Sequence, residues 1–285
     1  MVSWPDLGTR VTVRYRRPAG SVPPLTDTVG HLLAVAPLVR VRTKSGQVVE
    51  FSPDDAVAVR ALTDAPVRTS QIRALEHTAA LAWPGLEQQW LDGWLLRAAP
   101  GAGIEVNSAV PLDVSASTGA VPAIVEWYIQ RGLTPRLRLP DRLLRLPDAG
   151  EHAHRVLVRD VSAADADPAI HLAASPDEHW LRCYRGAEPV EVLTAVLDGE
   201  VAFGTHDRAA GRASVTDAPD GTRWVGLSAI SDDRLCEALL AWGASRGATR
   251  GYVRVLDDDH ATAGVVESLG FTTHHRGRYL AAHTL

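Results

Sequence analysis

"TRWVGLSAISDDRLCEALLAWGASRGATRGYVRVL" (222–256) holds three elements in a row. The stretch 224–230 reads as a strand. From 232 to 246, Leu235, Leu239 and Trp242 fall on one helical face, and Gly247 ends the helix. "TRGYVRVLD" reads as another strand. Only Ser231, Asp232 and Asp233 separate the first strand from the helix. That turn is either a plain structural connection or the place where a phosphate-bearing ligand sits.

Outward from this core, the chain from about 154 repeats the alternation. "HRVLVRDV" is a strand, and "SPDEHWLRCYRG" a helix capped by Ser175 or Asp177. Pro189 opens a second short helix, "PVEVLTAVLDG". The strands "EVAFGTHD", "GRASVTDA" and "TRWVGLSAI" lead into the quoted helix, and "DHATAGVVESLG" and "FTTHHRGRYLAAHTL" close the chain as helix and strand. The order is β-α-α-β-β-β-α-β-α-β. Upstream, Ser70 is a fair cap for "QIRALEHTAALAWPG", where Ile72, Leu75, Ala79 and Ala80 form one stripe and Pro84-Gly85 stops the helix. "GWLLRAA" and "IEVNSAVPLD" then read as strands, "AVPAIVEWYIQRG" as a helix, and "TPRLRLP" and "RLLRLPD" as strands.

Residues 1–64 read as strands alone. "TRVTVRYR", "TVGHLLAVAP", "LVRVRTKSG" and "QVVEFSPDDAVAVRAL" alternate at period two, with Ser45-Gly46 as a hairpin signal. So many strands in so short a segment suggest a small closed barrel. It resembles Src-homology-3-like barrels. The Arg14, Arg16, Arg17 cluster reads as a solvated strand face. "TDAPVRTS" (63–70) is the linker into the helix capped by Ser70.

Composition sets the bounds. The chain has 285 residues, 46% of them apolar and 22% charged, so it is ordinary globular material. Its net charge of −5 counts against a nucleic-acid surface. Lys44 is the only lysine among 29 basic residues, which points to GC-rich coding. Cys183 and Cys236 have no CxxC partner and read as buried thiols of a reducing cytoplasm, not as a metal site. No apolar run is long enough to span a membrane, and the start has no signal-peptide core, so the expected location is cytoplasmic.

The element order, ending in "VLDDDHATAGVVESLGFTTHHRGRY", resembles the GNAT superfamily of acyl-CoA-dependent N-acyltransferases. "ESLGF" (267–271) is its most specific piece. The resemblance covers 154–285; residues 67–150 look like a second, degenerate copy, as in tandem members. It implies an α/β (α+β) fold, a central mixed sheet flanked by helices, preceded by the small barrel. The domains would be 1–64, 67–150 and 154–285. It also implies an acetyl-CoA-dependent N-acetyltransferase, with an amine attacking the thioester directly in a ternary complex.

In this superfamily two neighbouring parallel strands splay apart and the pantetheine arm threads between them. Here those strands would be Trp224–Ile230 and Arg250–Leu256, with small Gly226, Ser228 and Ala229 letting another backbone approach. The resemblance assigns Leu227, Ser228, Ala229, Ile230, Arg234, Leu235, Asp259 and Val266 to the cofactor. It assigns Asn107, Ser108, Trp180 and Tyr184 to the acceptor amine, with Arg182 and Trp127 beside them. It names no catalytic residue, because Val266 stands where many members have the tyrosine that protonates the thiolate and Asp259 where they have asparagine. His260 could titrate usefully there, though a residue beside a helix cap is the plainer reading.

The phosphate turn departs further. Members place a glycine-rich loop there, whose converging N–H groups hold the diphosphate. This sequence has no glycine between Gly226 and Gly243, and Asp232 and Asp233 occupy the first helical turn. Either the cradle has been lost, or a mobile glycine-rich loop is missing between Ile230 and Leu235; the intact pattern around it favours the second. Two other functions stay open: a catalytically dead fold kept as a ligand-binding or scaffold protein, and a peptide or nucleic-acid binder working through the barrel.

Overall fold

The computed structural model describes every residue except 1, 3, 44–45, 63–66, 147–149, 165–166, 168 and 283–285. Its two compact units are Met1–Pro66 and Val67–Leu285. The Ser45 half of the hairpin signal and residues 63–66 of the linker lie outside the described residues.

The first unit is all strand. β1 (Arg10–Arg16), β2 (Leu25–Ala34), β3 (Val39–Thr43), β4 (Val48–Phe51) and β5 (Ala56–Ala61) form an antiparallel sheet in the order β4-β3-β2-β1-β5. Val11, Val13, Leu32, Val39, Val41 and Phe51 meet in one core, with Val59 packed against them, so the sheet wraps around its own inner face. Two of its arginines form ion pairs at the surface. Arg14 pairs with Asp27 across β1 and β2 at 2.8 Å, and Arg40 with Glu50 across β3 and β4 at 2.8 Å.

The second unit opens with α1 (Thr69–Ala82). Ser70 is not its cap: the helix starts earlier, with Arg68 at the N-cap and its N–H donating to the Gln71 side chain at 2.9 Å. Next come β6 (Glu87–Leu91), β7 (Trp94–Ala98), β8 (Val110–Pro111), α2 (Val121–Ile129) and β9 (Arg136–Pro140). The strand expected over "IEVNSAVPLD" shrinks to β8. Asn107 is the reason, because its side chain bonds Ala99 N–H and the Ala99, Ala102 and Gly103 carbonyls and so coils 99–107 into a loop. The strand expected over "RLLRLPD" is absent from its described part, where 141–143 is a turn.

The remainder follows the expected order with one added short strand. It runs β10 (Glu151–Asp160), β11 (His171–Ala173), α3 (Glu178–Cys183), α4 (Val190–Thr194), β12 (Glu200–His206), β13 (Ala209–Asp217), β14 (Arg223–Ser228), α5 (Asp233–Ser245), β15 (Arg250–Leu256), α6 (His260–Ser268) and β16 (Thr272–Ala281). Asp177, not Ser175, caps α3, accepting from Trp180 N–H at 2.7 Å. The eight strands β11-β12-β13-β14-β15-β10-β16-β9 form one mixed sheet in which β14 and β15 are the parallel pair. β9 comes from the 67–150 stretch yet hydrogen-bonds β16, and a bridge from Ala109 to Leu137 brings β8 alongside. Residues 67–150 and 154–285 therefore share one body.

Helices cover both faces. Leu235, Leu239 and Leu240 of α5 and Val266 of α6 pack with Val225, Leu227, Val253 and Val255 on one face. On the other, Leu75, Ala79 and Ala82 of α1 meet Val156, Val158, Trp224 and Tyr252. Alternation along each strand sends its residues to the two faces in turn. That rule fixes what stands at the site.

Candidate active site

β14 and β15 are paired only from Trp224–Arg250 to Leu227–Val253. Beyond that rung β15 continues to Leu256, whereas Ala229 takes a left-handed backbone (φ 56) and turns the chain away. For a residue with a Cβ this conformation costs roughly 1–2 kcal/mol, and such strain concentrates at functional sites. The ladder thus opens into a cleft just past Leu227. Gly226 does not widen it, because the Tyr252 ring fills the space beside it: a Cβ on Gly226 would lie 2.3 Å from Tyr252 Cζ.

A cavity of about 270 Å³ occupies the cleft's mouth. Ala229, Ile230 and Ser231 form one wall and Asp259, Ala261 and Thr262 at the start of α6 another. Cys183, Tyr184, Arg185 and Gly186 after α3 close it, with Arg208 and Ala210 below. Tyr184 donates its hydroxyl to Glu188. Burial and then that carboxylate push the phenol well above its ordinary range, so it stays protonated at neutral pH.

The sequence-assigned residues divide. Leu227, the last rung, is buried in the α5-side core. Ser228 begins the open edge, and its Oγ is buried without a partner. Ala229, Ile230, Asp259 and Tyr184 line the cavity. Asp259 also caps α6, accepting from Thr262 N–H at 3.1 Å. Leu235 and Val266 are fully buried among core side chains and do not reach the cavity. Arg234 bonds Asp167 at 2.6 Å and lines a separate hollow with Asp233 and Glu237. Ser108 is fully buried, Asn107 is spent on its loop, and Trp180 is a core anchor donating Nε1–H to the Gly211 carbonyl at 2.9 Å. Arg182 is exposed beside Glu178, and Trp127 bonds Gln89.

The turn at 230–235 is continuous, so no glycine-rich loop is missing there. Asp232 caps α5 with its own carboxylate, accepting from Leu235 N–H at 2.7 Å, while its carbonyl accepts from Cys236 N–H at 3.0 Å. His206 Nδ1 meets the same carboxylate at 3.1 Å, and Asp233 accepts from Ser268 Oγ–H at 2.8 Å. An acid thus already holds the Leu235 amide at the start of α5, where a diphosphate would otherwise bind. Positive charge reaches the cavity from Arg185 and Arg208 instead. The ladder's end leaves an open strand edge past Leu227, and the positive charge at the cavity is carried by side chains and not by a glycine cradle.

Sequence reasoning missed a chain of charge on the α1 side of the same cleft. Arg254 is the residue after the last rung on β15. It reaches Glu76 of α1 at 3.2 Å and Glu105 of the β7–β8 loop. Glu76, fully buried, also holds Arg138 of β9 at 2.8 Å and His275 of β16 at 3.0 Å. Burial alone would raise the Glu76 pKa, but Arg138, Arg254 and His275 overcome it and hold it well below the usual carboxylate range. Arg212 and Arg97 are buried with carbonyls and no carboxylate as hydrogen-bond partners, Arg212 also stacking on Trp83. Arg212 takes the carbonyls of Leu193, Ala82 and Ala195, and Arg97 those of Trp83 and Glu105. Burial brings Arg212 down to about 10 and Arg97 to about 9, helped for Arg97 by the neighbouring Arg138. The available signals were a charge inside the apolar strand "GYVRVL" and a glutamate beside the apolar stripe of α1.

A family model described as the probable histone acetyltransferase Rv0428c C-terminal domain matches residues 69–280, and the Rv0428c N-terminal Sm-like domain matches 5–60. The chain belongs to the Rv0428c family. Its Mycobacterium tuberculosis relative, named probable histone acetyltransferase Rv0428c, is 60% identical over 299 residues, covering 100% of this chain and 98% of the relative. A GCN5-related N-acetyltransferase from Kribbella flavida superposes with a TM-score of 0.50 at 13% identity, over 75% of this chain and 95% of the other. A GNAT-family protein from Novosphingobium aromaticivorans gives 0.44 at 17%, over 71% and 94%. As an Rv0428c-family member this protein is an acetyltransferase with a GNAT fold, and its five-stranded N-terminal unit is the Sm-like counterpart of the expected small barrel. Among the described residues no helix is long and apolar enough to cross a membrane, and no cluster suits a metal ion.

Proposed function

We propose that this acetyltransferase moves an acetyl group from acetyl-CoA to the side-chain amine of a lysine-rich protein, by direct attack within a ternary complex. The carrying observation is the ladder that stops at Leu227–Val253 while β15 runs on. The strand edge at Ser228–Ile230 is left free on that side, and a thioester carbonyl can take its N–H groups as an oxyanion site. Ser228, Ala229, Ile230 and Ala261 would border the pantetheine arm, and Arg185 and Arg208 the phosphates. Acetyl-CoA supplies the activated acyl carbon; this chain orients it, excludes water and manages the protons.

Tyr184, the phenol beside the hydroxyls of Ser231 and Thr262 in the cavity lining, would protonate the departing sulfur, since Val266 is buried away from the cavity. The acceptor class rests on the printed name of the M. tuberculosis relative, and the net charge of −5 suits a cationic partner.

Calorimetry on the full chain tests the reading. Acetyl-CoA should bind, and Ala261→Trp, which fills the cavity from the surface of α6, should weaken binding at least tenfold with an unchanged melting temperature. Thiol release should appear when a lysine-rich histone-tail peptide is added. Absence of binding to the wild-type chain would overturn the proposal.

A further inference from the structure

The charge chain behind the cleft has one end in water. Glu76, Arg138 and Arg254 have side chains at most 8% exposed, whereas the Glu105 side chain is 39% exposed. Glu105 lies on a loop, but its backbone is held by side chains: its carbonyl accepts from Arg97 Nη2–H at 2.6 Å and from Ser108 Oγ–H at 3.4 Å, and the Asn107 clamp lies two residues on. Neither bond uses the carboxylate. The fold thus spends a fully buried arginine and a clamped loop on presenting one carboxylate beside the open ladder.

Glu105 is not among the residues lining the cavity; it is tied to the open ladder through Arg254. Arg254, which holds Glu105, follows the last paired rung, and alternation puts it on the same sheet face as Tyr252 and Ser228. The hydroxyl of Tyr252, 5% exposed, has no partner, nor do Ser228 Oγ and Nη1 of the fully buried Arg212. Across the gap stand Tyr184 and Glu188, and the Glu188 carboxylate lies 3.0 Å from where a Cβ on Gly103 would be, two residues before Glu105. Unsatisfied buried polar atoms converging on a cleft mark a place prepared for a ligand. The charged and titratable groups facing Glu105 are Arg254, Arg97 and Arg212, with the phenols of Tyr184, Tyr252 and Tyr279.

We infer that Glu105, from the degenerate 67–150 half of the unit, is the base that accepts the proton of the incoming ammonium. The inference rests on the proposed acetyl transfer. The acceptor enters as R–NH3⁺ and loses one proton to a Glu105 oxygen, which passes it to solvent through its exposed edge. The freed nitrogen lone pair forms the C–N bond as the C–S bond breaks. The second nitrogen proton leaves with that step, balancing the proton taken up by the sulfur, so the products are R–NH–acetyl, a thiol and one proton released. Arg254 and Glu76 are positioning residues: they hold Glu105 in place and touch neither reactant.

The test uses the full chain, acetyl-CoA and a lysine-rich histone-tail peptide, reading thiol release against pH and acetyl-CoA binding separately. Glu105→Gln should lower kcat about 100-fold or more, in the range general bases supply. It should abolish the acidic limb of the pH–rate profile and leave acetyl-CoA affinity unchanged. Glu105→Asp keeps the charge on Arg254 and should retain that limb at a reduced rate; it is the variant that decides if the amide proves unstable. A Glu105→Gln enzyme with wild-type kcat and pH profile overturns the inference, as does loss of the acidic limb in Glu188→Gln instead. Failure of the wild type to bind acetyl-CoA is a different result, and refutes the acetyl-transfer reading itself.

Discussion

Replacing Glu76 by Gln should be among the most damaging single changes available to Val67–Leu285. The amide is nearly isosteric, so volume barely changes, but its single oxygen can accept from only one side and its NH2 faces N–H donors where the second carboxylate oxygen accepted. What goes is the negative charge between Arg138 at 2.8 Å, Arg254 at 3.2 Å and His275 at 3.0 Å. Arg254 keeps Glu105, but Arg138 has no other carboxylate among the described residues and is fully buried. Removing one partner of a buried ion pair costs about 3–5 kcal/mol, because the remaining charge stays desolvated. Urea unfolding at pH 7 should show that loss as a lower midpoint with an unchanged slope. The pH dependence sharpens the test. The folded-state pKa of Glu76 is depressed, so its contribution is complete above its ordinary value of 4.5 and fades only as pH falls toward the lower folded value. The gap between wild type and variant should therefore stay constant from pH 7 to about 5 and narrow below. A loss under about 1 kcal/mol at pH 7, or a gap that widens in acid, would show that the network is not the charged assembly described.

Further changes probe other parts of the reasoning. Asp232→Ser keeps a good N-cap but removes a charge from the phosphate side of the cleft; at ~5 Å in water one such repulsion is about 0.8 kcal/mol, so acetyl-CoA should bind about fourfold tighter by calorimetry. No change in affinity would place the diphosphate elsewhere. His154, pushed down to about 3 by burial and then by Arg254, should make the wild type lose stability as pH drops from about 6.5 toward 3. His154→Phe, whose ring loses only an unpartnered Nε2 and the weak Nδ1 contact to the His152 carbonyl, should flatten that slope in pH-dependent melting. Gly243→Ala would set a Cβ 2.5 Å from Val225 Cβ where α5 rests on β14, and should cost about 1–3 kcal/mol in urea; tolerance would mean that α5 can lift off the sheet. A fragment 67–285 should melt cooperatively, whereas 154–285, stripped of Glu76, Glu105 and β9, should not.

Much of the fold could be read from residue order. The βαβ stretch 222–256 and the elements around it follow apolar spacing and turn residues, because each is decided within about fifteen residues of chain. What escaped is long-range. Leu137 and Leu280 pair β9 with β16 across more than half of the unit, and nothing in "TPRLRLP" announces that partner. The loop at 99–107 escaped because one side chain, Asn107, overrides the alternation of "IEVNSAVPLD". Of the residues that superfamily position singles out, Ala229, Ile230, Asp259 and Tyr184 line the cavity and Ser228 begins the open strand edge. Leu235 and Val266 stand in the core instead, because apolar side chains there gain more from α5 and α6 packing than from facing solvent.

That replacement pattern bears on how an acidic turn and an acetyltransferase fold coexist. The superfamily's usual devices are glycine amides for phosphate and a tyrosine on the last helix for sulfur. In this chain both positions are taken, by the Asp232 carboxylate and by Val266, while Tyr184, Arg185 and Arg208 line the cavity and, in the proposed reaction, would serve the thioester and the phosphates with Glu105 as the base. Such an arrangement requires those side chains to be held rigidly, because a flexible arginine or glutamate loses entropy on binding that a backbone amide has already given up. Glu105 meets that requirement through Arg254, and Arg254 through Glu76. The buried charges of α1, β9, β15 and β16, costly as folding elements, make physical sense as the scaffold for a carboxylate that must not move.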